Sequence, residues 1–443
     1  MNIIKNMPDR QTELAQHIQR TPLCDTHEHL LSEEAYVQEG PDLLQNLFGF
    51  YLTADLVVAG ASQTDLDRLY DAGNPDIRGR FAPIRDAWNA VKHTGFGEAV
   101  RILAEVVYGM EQFTPEALEA AQQTQAALRA PGQRVKLLRD QANLDHVQID
   151  NMNWACKPDS SEPGFFFSDI SWWTLSSGTV DMSDLQDETG IEVRDLQTLG
   201  RALEQLFEQN AESAIAIKSQ HAYDRPLRWQ QRTDKEASAV LDRYLSRKGD
   251  VDESERHCLG DWCLAKGIEC AIEYDLPFKL HTGYCAHHSH MRIDYVKPGQ
   301  LDTLLRRFPD VRLVLMHAAY PYGNELIALA KHFPNVYIDL CWAWSMDPHD
   351  TSDFLRHCIH AVPSNKLFAF GGDTLWPTSA VAYAYQARNW LTRTLQAELD
   401  DGLLSEKEAI DLASRYMKEN QYACFNIDAK RNRIKHIAES ERQ

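Results

Sequence analysis

The chain has 443 residues, of which 44% are hydrophobic and 25% are charged, and it carries a formal net charge of −20 at pH 7. This composition is typical of a globular protein, and the length suits two or three ordinary domains or one large barrel with insertions. The acidic balance argues against nucleic acid and anionic membrane surfaces as partners, because both attract basic proteins.

Nine cysteines are scattered along the chain without a CxxC pair or a regular framework. Such an odd, irregular set predicts reduced thiols and therefore a cytoplasmic protein. The N-terminal stretch MNIIKNMPDRQTELAQ lacks the apolar segment that a signal peptide needs, and no apolar run is long enough to span a bilayer. We expect a cytoplasmic protein that binds a small molecule, and we leave homo-oligomer formation open.

The first predicted elements are a short amphipathic helix over residues 9–20 and a strand that ends in two histidines. The apolar run Pro22-Leu23-Cys24 leads into Asp25-Thr26-His27-Glu28-His29. Side chains two positions apart on a strand point to the same face, so His27 and His29 can reach one metal ion. A His-x-His doublet alone is weak evidence for a metal site, and other ligands must support it.

A helical insertion is predicted after this strand, over residues 31–140. Within it, Thr114 and Pro115 suit the N-cap and the first position of a helix. Further on, Ser405 and Glu408 form a capping-box pattern before a final helix. Six more strands are predicted between these points, at residues 144–150, 214–218, 278–281, 311–317, 336–340 and 366–373.

Strand–helix alternation with short connections predicts a parallel sheet flanked by helices, either a barrel or an open sheet. No GxGxxG follows a strand and no GxxxxGK[ST] occurs, which disfavours a nucleotide-binding open sheet. The aromatic stretches 165–167 and 172–173 are predicted to lie in a loop that covers a pocket or forms a subunit contact. Trp342 and Trp344 either wall a pocket or lie in the core, and the polar segment 430–443 is predicted to be peripheral.

Four of the predicted strands end in potential metal ligands, which are His27 with His29, then His281, His317 and Asp373. In a parallel barrel the C-terminal strand ends meet at one rim, where active sites form. Imidazoles and a carboxylate suit zinc, manganese or iron(II), and three or four such ligands with an open position describe a catalytic site. A metal ion there would lower the pKa of a bound water, Asp373 would take the proton, and His317 would polarise the substrate carbonyl.

The same residues resemble the pattern of the amidohydrolase superfamily. The resemblance covers nearly the whole chain and is strongest over residues 277–373, where HTGY, PGQLDTLLRRFPDVRLVLMHAAYPY, NVYIDL and FGGD look like the amidohydrolase-related branch. That branch includes predicted TIM-barrel metal-dependent hydrolases, aromatic-acid decarboxylases and a hydrolase-like domain fused to some glutamine-synthetase-like proteins. The resemblance implies an α/β fold, a distorted (β/α)8 TIM barrel, which we interpret as a single domain over residues 1–443 that contains the helical insertion.

The resemblance also implies a ligand set. By it, His27, His29, His281 and Asp373 bind the metal, most often zinc, and His317 lies near the substrate. In members of the superfamily with two metal ions, a carboxylated lysine at the end of the fourth strand bridges them, and Lys218 stands at that place. An ordinary Lys218 would instead bind a substrate carboxylate or form a salt bridge, so the number of ions, one or two, depends on this residue.

Residues on the predicted rim loops are candidates for contact with the substrate. Tyr223 and Arg225 follow Lys218, and Arg225 would either clamp a carboxylate or form a structural ion pair. Tyr284 follows the HTG segment and is also predicted to bind substrate. Three further histidines are interpreted as part of a polar rim loop rather than a metal site, namely His287, His288 and His290.

Together these features predict a metal-dependent hydrolase that cleaves a C–N or ester-like bond in a small organic substrate, with a substrate carboxylate left open. One alternative is a non-hydrolytic decarboxylase of an aromatic acid on the same metal. Another is a uronate isomerase-like enzyme, because the insertion resembles the extra helical region of uronate isomerases. Outside enzymes, the chain could be a non-catalytic barrel that serves as a binding module, which the intact ligand set disfavours.

Overall fold

The computed structural model describes residues 12–286 and 291–441, and in them eight parallel strands form one sheet in sequence order. Each strand pairs with the next, and the segment after the last strand returns to the first, where the Asp373 N–H donates to the carbonyl of His27 over 2.8 Å. The fold is a (β/α)8 TIM barrel, as predicted. Its strands are β1 Leu23–Glu28, β2 Leu144–Ile149, β3 Phe166–Ser171, β4 Ala214–Ser219, β5 Phe278–Leu280, β6 Leu313–Leu315, β7 Val336–Asp339 and β8 Leu367–Phe368.

Helices surround the barrel and fill the long connection between β1 and β2. Those that precede β2 are α1 Glu13–Arg20, α2 Glu33–Glu39, α3 Leu43–Phe48, α4 Tyr51–Val58, α5 Gln63–Leu69, α6 Ile77–Phe81, α7 Arg85–Val91, α8 Gly95–Val106, α9 Pro115–Leu128 and α10 Gln133–Val135. Those that follow β3 are α11 Trp173–Ser177, α12 Met182–Thr189, α13 Leu196–Asn210, α14 Asp234–Ser246, α15 Glu253–Glu273, α16 Asp302–Arg307, α17 Gly323–His332, α18 Ala343–Met346, α19 Pro348–Ala361, α20 Pro377–Asp400, α21 Glu406–Ser414, α22 Asn420–Phe425 and α23 Ile427–Glu441. In the described parts of the chain, no helix is both long and apolar enough to cross a membrane.

The predicted capping signals are confirmed. The Thr114 side chain accepts a hydrogen bond from the Ala117 N–H at the start of α9, and Ser405 and Glu408 form a reciprocal capping box on α21. These side chains satisfy backbone donors that the first helical turn leaves without partners. The three histidines predicted on a polar rim loop, His287, His288 and His290, lie outside the described residues.

The third strand was missed, so the prediction of a loop is wrong for Phe166 and Phe167, and Trp172 is buried rather than exposed at a pocket or a subunit contact. Phe166–Ser171 forms β3, and Phe166, Phe167 and Trp172 are at most 3% exposed. Clustered aromatic side chains suggested an exposed surface, but here they fill the barrel and the space between β3 and its helices. Trp173, by contrast, is only partly buried and lines the cavity over the strand ends, as the prediction of a pocket cover requires.

The helices between β1 and β2 reach over the C-terminal end of the barrel. The Glu98 carboxylate on α8 accepts hydrogen bonds of 2.8 Å from Gln386 and from Trp390, both on α20. The ring of Tyr51, at the start of α4, lies 4.3 Å from the ring of Trp342, which follows β7. The insertion is therefore fixed to the barrel by partly buried polar contacts and by an aromatic contact, which bring α4 to the strand ends.

The C-terminal helix α23 packs on the barrel, so the prediction of a peripheral polar segment over 430–443 is wrong for its described part. Ile434 and Ala438 are buried, and the Arg431 guanidinium lies 2.7 Å from a carboxylate oxygen of Asp145 on β2. Lys418 also contacts this carboxylate, over 2.8 Å. Arg431, like Lys418, therefore attaches the C-terminal helices to β2 through the Asp145 carboxylate.

We expect Asp145→Asn to lower the free energy of unfolding by about 2 kcal/mol, because it removes the charged partner of the half-buried Lys418 and Arg431. Burial opposes ionisation of Asp145, but hydrogen bonds from His146, Lys418 and Arg431 outweigh it and hold the pKa well below its usual range. The contribution is therefore present above the unfolded pKa of about 3.9 and is lost as the pH falls toward the folded-state value. Urea titrations across this pH range measure the free energy of unfolding, with the exposed Asp242→Asn as the control. An equal loss of stability in both variants would contradict a stabilising role for the ion pairs of Asp145.

Candidate metal centre

Both histidines of the His-x-His doublet face one carboxylate oxygen. The Nε2 atoms of His27 and His29 lie 3.3 and 3.2 Å from Oδ1 of Asp373. Nδ1 of His29 lies 2.8 Å from the carbonyl oxygen of Asp150 and donates to it, which leaves Nε2 with a lone pair for a metal. The structure thus brings together three of the predicted metal ligands, from β1 and from the segment after β8.

Backbone and carboxylate groups hold Asp373 in place. Its backbone has a φ of 56°, a left-handed conformation that aspartate tolerates better than most residues. One oxygen of Glu28 accepts hydrogen bonds from the Thr374 N–H at 2.5 Å and from the Thr374 hydroxyl at 2.8 Å. A Cβ atom on Gly372 would overlap the Glu28 carboxylate, so only glycine allows this close approach of β8 to β1.

His317 lies across the site, after β6. Its Nδ1 donates to the carbonyl of Cys341 over 3.0 Å, and its Nε2 is buried without a hydrogen-bond partner among the described residues. The ring of His281 lies 4.2 Å from that of His317, but His281 Nε2 donates to the Tyr284 carbonyl over 3.0 Å. The structure therefore places His281, a predicted ligand, beside the cluster of His27, His29 and Asp373 rather than in it.

Lys218, at the end of β4, is fully buried at the floor of the site. Its Nζ lies 3.5 Å from Nε2 of His27 and donates to the side-chain oxygen of Gln220 over 3.2 Å. The amino group therefore lies against the same ring nitrogen of His27 that faces Asp373. This position is compatible both with the predicted bridging role and with a plain ammonium group.

Burial and neighbouring charges set the protonation of these groups. Burial lowers the pKa of His317 to about 4, and burial together with Lys218 lowers the pKa of His27. Burial opposes ionisation of Asp373, but the neighbouring imidazoles of His27 and His29 outweigh it and hold the pKa well below its usual range. Burial opposes protonation of His29, but Asp373 outweighs it and raises the pKa of this imidazole. Neutral imidazoles and an ionised carboxylate are the forms that bind a divalent cation.

A cavity of about 270 Å³ opens over the site. Its walls are mainly aromatic and apolar, and the residues that line it are His29, Phe50, Tyr51, Met152, Trp173, Gln220, Tyr223, His281, Ala286, Asp373 and Leu375. Tyr223 was predicted to contact the substrate and does line the cavity. Tyr284 was predicted there too, but its backbone carbonyl holds His281, and its ring lies 6.0 Å from the ring of Trp342.

Arg225 does not reach the cavity, so its predicted role as a carboxylate clamp is wrong. Its guanidinium is 2% exposed and forms a buried ion pair with Asp261, 2.5 Å away. It also donates to the backbone carbonyl of Arg228 over 2.8 Å. The contacts of Arg225 occupy both terminal nitrogens of its guanidinium, and the alternative of a structural ion pair is what the structure shows.

Sequence reasoning missed Tyr51. The Tyr51 hydroxyl donates a hydrogen bond to the Asp373 carboxylate, and burial raises the pKa of this phenol well above its usual value. No local pattern identifies this tyrosine, because it belongs to the insertion and only the docking of α4 brings it to the rim. Tyr51 is therefore a group that the insertion offers directly to Asp373.

We expect Tyr51→Phe to lower turnover about 10- to 100-fold with unchanged metal content, because it removes one charged hydrogen bond to Asp373 worth about 1.5–3 kcal/mol. Tyr244→Phe is the control, since the Tyr244 hydroxyl donates to the carbonyl of Val180, in another part of the barrel. Steady-state kinetics and metal analysis of both variants check this. A metal content that falls with turnover would show that Tyr51 acts on binding rather than on reaction.

Comparison with known proteins agrees with this geometry. Residues 196–408 match the family model described as amidohydrolase. Among curated proteins, the protein fluG of Emericella nidulans is 25% identical over 176 residues, which is 38% of this chain and 20% of that protein. The match therefore spans about a fifth of that relative's length.

Solved structures share the whole fold at low identity. A uronate isomerase from Thermotoga maritima has a TM-score of 0.77 and 14% identity, and the match covers 95% of this chain and 98% of that one. A glucuronate isomerase from Caulobacter crescentus has a TM-score of 0.76 and 15% identity, over 95% of this chain and 96% of that one. At such identities these likenesses establish the fold and not the reaction.

Proposed function

Because the chain belongs to an amidohydrolase-related TIM-barrel family, we propose that it is a metal-dependent hydrolase that cleaves a C–N or ester-like bond in a small organic substrate. The observation that carries the proposal is the convergence of His27 and His29 on one oxygen of Asp373 at the C-terminal rim of the barrel. Two imidazoles and a carboxylate in this arrangement can hold a cation, and the carboxylate can also accept a proton.

The residues present fit a divalent metal. His27, His29 and Asp373 would hold it, and the buried Nε2 of His317, which lacks a partner among the described residues, points to a cation nearby. Imidazole and carboxylate donors suit zinc, manganese or iron(II), and we propose zinc. Such an ion supplies Lewis acidity, which lets a water molecule act as a nucleophile near neutral pH.

Asp373 is the proton acceptor in this proposal. Its carboxylate takes a proton from the attacking water and passes it to the leaving group, while the Tyr51 hydroxyl holds the carboxylate by a hydrogen bond. His317 does not suit its predicted role of polarising a carbonyl, because its single proton lies on Nδ1 and is donated to Cys341. Its Nε2 offers a lone pair, which is the property of a metal ligand.

The cavity indicates the kind of substrate. Its described walls include Phe50, Tyr51, Trp173 and Tyr223, and none of its described lining residues is an arginine or a lysine. An apolar or aromatic group buries well against such walls, whereas a carboxylate at the cavity mouth would find no fixed cation among these residues. We infer that the substrate presents an apolar or aromatic group to this cavity.

A substrate panel with metal-loaded protein separates the candidate reactions. We expect hydrolysis of esters or amides that bear an aromatic or apolar group. Release of carbon dioxide from aromatic acids would instead identify a decarboxylase. Aldose–ketose conversion of uronates would instead identify an isomerase. Binding of panel compounds without any turnover would identify a binding module and contradict the proposal that the chain is an enzyme.

A further inference from the structure

A second group of potential ligands adjoins the first on its buried side. A ring nitrogen of His317, the Cys341 sulfur and a carboxylate oxygen of Asp373 all lie within 4.8 Å of one another. The three residues are at most 4% exposed. Asp373 belongs both to this group and to the His27–His29–Asp373 cluster, so the two groups share one carboxylate.

The sulfur is directed toward the strands that carry the other ligands. A Cβ atom placed on Gly371 would lie 2.6 Å from the Cys341 sulfur and 2.5 Å from the Thr26 hydroxyl oxygen. The thiol therefore packs between β1 and the segment that leads to Asp373. Cys341 also presents its backbone carbonyl to Nδ1 of His317, which fixes the ring so that Nε2 is free to bind.

A buried acceptor of this cluster is available to a cation. His317 Nε2 is fully buried and has no partner among the described residues, although it is an acceptor. A buried acceptor without a protein partner binds an ordered water or an ion.

We propose that His317, Cys341 and Asp373 form a second cation subsite, in which Cys341 binds as a thiolate. The proposal deepens the proposed metal-dependent function and rests on it. Binding of the cation displaces the thiol proton, which passes to solvent, and the S–H bond is replaced by a sulfur–metal bond. A thiolate ligand favours zinc or cobalt over magnesium or manganese, so this residue would set the metal preference of the site.

The third cluster of potential ligands serves as a contrast. Cys24, Asp145 and His146 also lie within 4.8 Å of one another, at the opposite end of the barrel. There the carboxylate already binds Lys418 and Arg431, at 2.8 and 2.7 Å. The protein itself compensates the charge of this carboxylate, whereas Nε2 of His317 has no partner among the described residues.

X-ray absorption of the zinc-loaded wild-type protein tests the subsite without any mutation. We expect a sulfur shell at about 2.3 Å beside nitrogen and oxygen shells at about 2.0–2.1 Å. The cobalt-loaded protein should show a near-ultraviolet thiolate-to-cobalt charge-transfer band. Bound metal with nitrogen and oxygen shells alone would overturn the subsite and leave the proposed function standing, whereas no bound metal would overturn both.

Two cysteine variants assign the sulfur. Cys341→Ser should lose the sulfur shell and the charge-transfer band, and its metal content should fall by one ion per chain with one ion retained. Cys285→Ser is the matched control, because Cys285 is also buried and its sulfur lies 3.7 Å from Nε2 of His281. The control should keep both signals, and a sulfur shell that persists in Cys341→Ser, or is lost in Cys285→Ser, would overturn the proposal. Circular dichroism establishes that each variant is folded.

Discussion

Replacement of Asp373 by asparagine is expected to lower turnover by about 10³-fold, which corresponds to about 4 kcal/mol of transition-state stabilisation. Asparagine keeps an oxygen that can accept a hydrogen bond from the Tyr51 hydroxyl. Its amide group, however, cannot take a proton from water. It also tolerates the left-handed backbone that Asp373 adopts, with φ at 56°, so the loop after β8 should keep its shape. The loss should therefore appear in kcat for the substrate that the panel identifies.

Two controls make the Asp373→Asn result specific. Asp310→Asn changes an exposed aspartate in a turn and should leave turnover unchanged. Thermal unfolding should show that Asp373→Asn retains a cooperative transition. Turnover within a few-fold of the wild type would remove Asp373 from the role of proton acceptor.

His29→Asn is expected to weaken metal binding by more than about 10²-fold, because loss of a ligand costs at least as much as loss of a group that orients one. The asparagine amide can still donate to the carbonyl of Asp150, to which His29 Nδ1 donates over 2.8 Å. The substitution thus removes Nε2, the nitrogen that faces Asp373, and preserves the hydrogen bond that ties β1 to β2. Competition with a chromophoric chelator measures the change in affinity.

The matched control for this variant is His436→Asn, at an exposed position on α23. It should bind metal as the wild type does. Excess metal should restore part of the activity of His29→Asn, since the variant loses affinity rather than its proton acceptor. Wild-type affinity in His29→Asn would place the metal elsewhere.

The barrel and the strand-end residues could be predicted because both follow from local periodicity. A buried strand that ends in a histidine or an aspartate is visible in the sequence, and the parallel barrel brings such ends together. The third strand was missed because clustered aromatic residues resemble a surface loop in composition. Its burial depends on the helices that pack over it, which no short window contains.

The remainder of the site depends on long-range contacts that sequence patterns do not encode. Tyr51 reaches Asp373 only because α4 packs against Trp342. Arg225 is held away from the cavity by its ion pair with Asp261 on α15. The tautomer of His317 is set by the carbonyl of Cys341, on the neighbouring strand end. Each of these contacts joins residues from different elements, so the prediction could name residue types near the rim but not their partners.

The most direct test of the metal centre is the metal content of the protein purified without added metal. Elemental analysis should find at least one divalent transition-metal ion per chain, and chelation should remove it together with turnover, which readdition of zinc restores. A second equivalent is expected if the Cys341 subsite is filled. Protein that contains no stoichiometric metal, and that turns over substrate equally well in the presence of a chelator, would contradict the account.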